Sequence, residues 1–114
     1  MATRSTIALE FADGTVQQVY CHWDGYLDHN GVILRDHYQD PFKVQRLIDQ
    51  GDLSSLDVQE GTCVFYGRDR GEKNTAAKEF YSWDEASEYY EDCDYFYVFD
   101  GHGWMWKRHN GSWK

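Results

Sequence analysis

Basic residues are in short supply in this chain. Eleven lysines and arginines face 20 aspartates and glutamates, a formal net charge of −9 over 114 residues. A surface of that sign repels phosphate, so direct binding to nucleic acid or to an anionic lipid surface is not expected. Long apolar runs are missing as well. None approaches the roughly 18 residues of a membrane span, and no charged-apolar-small leader pattern opens the chain. Cysteine is sparse: Cys21, Cys63 and Cys93 are odd in number and widely spaced. That is no disulfide framework, and it points to a reducing cytoplasm. Internal repeats and a second domain are also lacking, so residues 1–114 are expected to form one domain with its own core.

What is present is an uneven distribution of charge. Residues 1–67 hold ten acids and four bases, and residues 68–78 hold four bases against two acids. Residues 79–100 then carry eight acids and no base, and residues 101–114 three bases and no acid. The acidic segment is not a disordered tail, because it is dense in tyrosine, phenylalanine and tryptophan.

Local patterning supplies the elements. Asp13-Gly14 between residues 5–11 and 15–21 marks a two-residue hairpin turn. That register places Ile7, Leu9 and Phe11 on one face with Val16, Gln18 and Tyr20, and Ala8 and Val19 on the other. A short helical stretch is expected from Asn30-Gly31. A second follows Asp40-Pro41, with Asp40 as cap, Val44, Leu47 and Ile48 as apolar face and Gly51 as stop. Residues 62–66 read as a strand and 67–75 as an exposed loop. Ser82-Trp83-Asp84-Glu85 fits a capping box, opening a helix with Ala86, Tyr89, Tyr90 and Cys93 on one side. Residues 94–99 and 104–107 close the order ββ-αα-β-α-ββ. The expected fold is α+β, a mainly antiparallel sheet of about five strands with two or three helices on one face.

Four groups of residues bear on function. His22, Asp24 and His29 lie in the stretch richest in potential metal ligands, but their spacing matches no metal signature, and a turn is the simpler account. Pairing Cys21, Cys63 or Cys93 with a histidine would make a nucleophile, yet Cys63 and Cys93 fall on faces expected to be buried, where thiols are inert. No catalytic residue and no cofactor is therefore expected. Residues Gly67 to Lys73 lack the Walker A spacing, although Arg68 and Arg70, with Trp104 and Arg108, could hold a nucleotide-type ligand between an aromatic and a cation. Eleven of the 20 aromatics lie between residues 80 and 106. Core packing is the expected role for most, with Trp104 and Trp106 as candidates to line a groove beside Tyr95 or Tyr97.

The last helix is the unusual feature. Asp84, Glu85, Glu88, Glu91 and Asp92 repeat at three- and four-residue steps with no base among them, and like charges at those steps destabilise a helix. Either basic residues such as Arg68, Arg70, Lys107 and Arg108 neutralise them in three dimensions, or they form a contact surface for a basic partner.

The run Val19-Tyr20-Cys21-His22-Trp23-Asp24-Gly25-Tyr26 resembles a motif in a group of small bacteriophage and prophage proteins. The group also carries an opening strand like Ser5-Thr6-Ile7-Ala8, a pair like His37-Tyr38, and a segment like Gly51-Asp52-Leu53-Ser54-Ser55-Leu56. Trp83-Asp84-Glu85-Ala86 in the second half is similar more loosely. The resemblance implies a phage accessory protein in the bacterial cytoplasm and brings no catalytic residues with it. The expectation is a non-enzymatic protein that binds a host or defence protein with a basic surface, as an inhibitor or a mimic of nucleic acid. A nucleotide-type ligand binder and a small enzyme at residues 21–29 are the alternatives. Self-association stays open.

Overall fold

In the computed structural model, which describes residues 3–109, the hairpin forms but its turn is one residue longer than expected. Strands β1 (Ser5–Glu10) and β2 (Val16–Cys21) are joined by a three-residue loop in which Gly14 adopts φ +87°. Gly14 N–H donates to Phe11 O and Phe11 N–H to Thr15 O, both at 2.9 Å. A turn closed by a left-handed glycine is the usual three-residue solution. Ile7 is therefore opposite Val19, and Thr6 opposite Tyr20. A one-residue change of register moves every side chain of a strand to the other face. Val16, Gln18 and Tyr20 thus leave the face shared with Ile7 and Leu9, and Val19 and Cys21 join it.

A π-helical turn (Leu27–Gly31) leads into α1 (Val32–His37), and α2 (Pro41–Asp49) follows at once. Helix α2 begins and stops where the sequence indicates. Asp40 Oδ1 accepts the Phe42 N–H at 3.0 Å, Pro41 occupies the first turn, and Gly51 leaves with φ +85°. The cap is worth about 1 kcal/mol. Val44, Leu47 and Ile48 are buried against the sheet.

Two strands lacked a clear signal, β3 (Leu53–Ser55) and β5 (Lys78–Phe80). The strand expected over 62–66 shrinks to β4 (Val64–Phe65), because the chain coils directly into α3 (Tyr66–Arg70). Helix α4 (Trp83–Tyr89) opens on Ser82, whose Oγ accepts the Glu85 N–H at 3.2 Å. It ends before Glu91 and Asp92. Strands β6 (Tyr95–Phe99) and β7 (Trp104–Arg108) follow.

The strands form one sheet in the order β4-β3-β2-β1-β6-β7, with β5 beside β2. It is α+β as expected, but mixed rather than mainly antiparallel, with seven strands among the described residues rather than about five. β1 runs parallel to β6, and β2 meets β3 in parallel at Cys21 and Leu53. Central strands buried on both sides need both faces covered, so the helices are not confined to one. Ile7, Leu9, Val19, Tyr97 and Phe99 pack with α1 and α2 on one side. Ala8, Val16, Phe96 and Val98 pack with Trp83 and Ala86 of α4 on the other. Lys114 and the extreme ends of the 1–114 span lie outside the described residues.

Candidate functional site

The stretch from Cys21 to His29 is tied into the fold. Gly25 lies against β1, its N–H donating to Thr3 O at 2.8 Å while its carbonyl accepts the buried Tyr97 hydroxyl at 2.7 Å. Asn30 is fully buried and donates to Ser5 Oγ (3.2 Å) and Cys21 Sγ (3.4 Å). His22 Nδ1 pairs with the Tyr20 hydroxyl at 2.8 Å, whereas His29 Nδ1 pairs with Asn30 Oδ1 at 2.9 Å. The backbone at Asp24 is left-handed (φ 58°), as a turn residue. Each histidine is thus occupied by its own neighbour. Among the described residues no three His, Cys, Asp or Glu side chains gather where they could hold a metal.

The thiols are equally occupied. All three cysteines are free and buried. Burial pushes the Cys21 and Cys93 thiols up to about 12, and raises that of Cys63. Cys63 Sγ accepts the Asp57 N–H at 3.1 Å and lies 3.7 Å from the Tyr38 hydroxyl. A thiol held protonated by an apolar shell is a poor nucleophile.

The four residues offered for a nucleotide-type ligand are not brought together within one chain. Arg68 and Arg70 belong to α3, after β4 at one edge of the sheet, and Trp104 and Arg108 belong to β7 at the other. Five strand spacings separate those edges, about 24 Å. Arg68 is also spent locally. It donates to the carbonyls of Glu60 (3.0 Å), Gly61 (3.2 Å) and Cys63 (2.8 Å), and pairs with Asp69 at 2.9 Å. Arg70 lies over the Tyr66 ring and Arg108 over the Tyr95 ring. Trp104 donates its indole N–H to Tyr38 O at 2.8 Å. The groove expected beside it does form, a space of about 410 Å³ lined by Trp104, Trp106, Tyr97, Leu27 and Val32.

The acidic residues are all exposed, on and just after α4. Asp84, Glu85 and Glu88 project from the helix, while Glu91 and Asp92 occupy the turn between α4 and β6. Asp92 pairs with Arg4 at 3.3 Å. Among the described residues Asp84, Glu85, Glu88 and Glu91 enter no salt bridge, since the other ion pairs join Arg35 to Asp36, Arg46 to Glu60 and Arg68 to Asp69. Arg68 and Arg70 are engaged elsewhere, Arg68 with Asp69 and the preceding turn and Arg70 over the Tyr66 ring. Lys107 comes near, sharing a hollow with Glu88 and Glu91. Asp84 and Glu85 sit at the positive end of the short helix, where their charge is tolerated.

Beside this surface runs a row of rings that sequence patterning did not assemble. Phe80 and Tyr89 are 5.4 Å apart, Tyr89 and Tyr90 4.9 Å, and Tyr90 and Tyr20 6.2 Å. Tyr20 is then 6.0 Å from His22, which meets Trp23 edge-on at 4.8 Å. Desolvation raises Tyr20 to about 12, so its hydroxyl stays protonated at neutral pH. The hairpin register conceals this row. With Tyr20 assigned beside Ile7 and Leu9, it would lie on the opposite side of the sheet from Tyr90. Tyr89, assigned to a buried helix face, is 57% exposed because the helix ends there.

No described helix is long and apolar enough to cross a membrane. No family model, no curated protein and no solved structure matches the chain.

Proposed function

We propose that this chain is a non-enzymatic, phage-type accessory protein of the bacterial cytoplasm. It binds a host or defence protein that carries a basic surface. Asp84, Glu85, Glu88 and Glu91 make the contact, helped by the exposed rings next to them. The observation that carries this reading is the acidic face itself: four neighbouring carboxylates, exposed and without a salt bridge among the described residues. A face that only stabilised its own fold would be laced with lysine or arginine at helical spacing. Carboxylates left at that density produce a local negative potential, which steers a basic protein in and competes with nucleic acid for it.

Enzyme chemistry at residues 21–29 has less support, since His22 and His29 are each hydrogen-bonded to a neighbour and the buried Cys21 thiol accepts from Asn30. A nucleotide-type pocket would need residues from both edges of the sheet, which one chain alone does not join.

The test is affinity capture from a bacterial lysate at low and high salt, using the wild type and a Glu85→Lys/Glu88→Lys variant. A charge-driven partner is retained near 0.05 M salt, falls away near 0.5 M as the screening length shrinks to a few ångströms, and is missing with the variant. Partners that persist through both changes would overturn the proposal.

A further inference from the structure

At the start of α4 the acidic surface runs into a cleft of about 460 Å³ between the β1–β2 hairpin tip and β5. Its walls carry three carboxylates, Asp13, Glu79 and Glu85, and three rings, Phe11, Phe80 and Tyr81. No lysine, arginine or histidine lines it. Two of the carboxylates are held in place before any ligand arrives. Asp13 Oδ1 accepts the N–H and hydroxyl of Thr15 at 3.0 and 2.6 Å, which keeps its carboxyl below the usual carboxylate range. Glu79 Oε1 accepts from Gln17 Nε2 at 3.1 Å.

The rings are a separate observation. Tyr81 is 86% exposed and Phe11 36% exposed, at the mouth of the same cleft. The fold makes no use of them there, as the core beneath is filled by Val16, Phe80 and Trp83. Large aromatics left in water around an anionic hollow suit one kind of group: a cation with an apolar stem. Its charge meets the carboxylates and the ring faces, and its methylenes cover the ring edges.

We infer that this cleft receives an arginine or lysine side chain, carried on an extended segment of the basic partner. The inference rests on the acidic-face proposal above and adds to it the part of the partner that enters and the place where it enters. The cleft has room for one such side chain and its stem, while the carboxylates of α4 remain outside for neighbouring bases.

The probe is the peptide acetyl-Gly-Arg-Gly-Arg-Gly-amide, titrated into ¹⁵N-labelled protein beside its citrulline counterpart, which keeps the shape and loses the charge. Saturable amide shifts are expected across residues 11–17 and 79–85 with arginine, and none with citrulline. Tyr81→Ala should weaken binding roughly two- to fivefold, the value of an exposed cation–aromatic contact. Glu79→Gln should weaken it too, without disturbing the spectrum of the free protein. Glu72→Gln, exposed after α3 and away from both the cleft and α4, should leave these shifts unchanged. Equal shifts with citrulline would overturn the inference, as would shifts confined to residues 88–94. The second result would spare the acidic face and remove only the cleft. A peptide that shifts no amide at all would count against both.

Discussion

Gly25 has no room for a side chain. A Cβ there would lie 2.6 Å from Ser5 Cβ and 2.7 Å from the Thr3 carbonyl. Backbone cannot yield as a flexible side chain can, so Gly25→Ala is expected to destabilise by about 1–3 kcal/mol, the usual cost of overpacking. Chemical denaturation measures it. The same packing explains how much of this string is taken up by the fold: His22, His29 and the Cys21 thiol each have a hydrogen-bond partner close by. The buried thiols make a second prediction at this scale. Unfolded, Cys21 and Cys93 lose their protons near 9, whereas in the fold burial pushes both up to about 12. The native state then binds the proton more tightly. This contribution is complete below pH 9 and is lost as the pH rises toward 12. Melting temperature should fall over that window, and less steeply for Cys93→Ala.

At the scale of elements, α3 shows how a basic loop becomes structure. Arg68 ties the 3₁₀ turn Glu60–Thr62 and the Cys63 that follows it to α3, by two carbonyl bonds and one. Arg68→Ala is expected to cost about 1–3 kcal/mol by leaving those acceptors short of donors, and Arg70→Ala far less, as a denaturant midpoint will show. The sequence could show a basic, glycine-bounded segment but not which arginine would fold inward, because that choice depends on carbonyls presented by the preceding turn. Helix α2 was legible in full, since its cap, its proline and its stop are all local. Helix α4 was legible at its start only. Ser82 fixes the beginning through one hydrogen bond, whereas no glycine or proline marks the end, and the aromatic run 89–90 continues the helical period past the last turn. Inside α4, Asp84 and Glu88 stand four residues apart with like charge. Glu88→Lys should change thermal stability by no more than about 0.5 kcal/mol, because relief of the Asp84 repulsion is offset by Lys107 across the same hollow.

For the whole molecule, the hairpin was visible as a pattern, and the mixed sheet was not. The parallel contact of β1 with β6 joins residues some 90 positions apart, and nothing local to either strand states its direction. The hairpin register was missed by one residue, which was enough to separate Tyr20 from Tyr90 and to hide the ring row next to α4. The acidic segment, by contrast, was evident as composition. The structure adds that its charges stay exposed and that Arg68 and Arg70, suited to neutralise them, are engaged with Asp69 and the Tyr66 ring instead. The central claim is that this face recognises a basic partner, and Glu88→Lys separates that role from a structural one. Side-by-side capture from a bacterial lysate with wild type and Glu88→Lys, at equal folded concentration and low salt, is the most direct measurement. The account predicts that the variant, close to the wild type in stability, retains markedly less of every salt-sensitive partner. Undiminished capture by Glu88→Lys would contradict it.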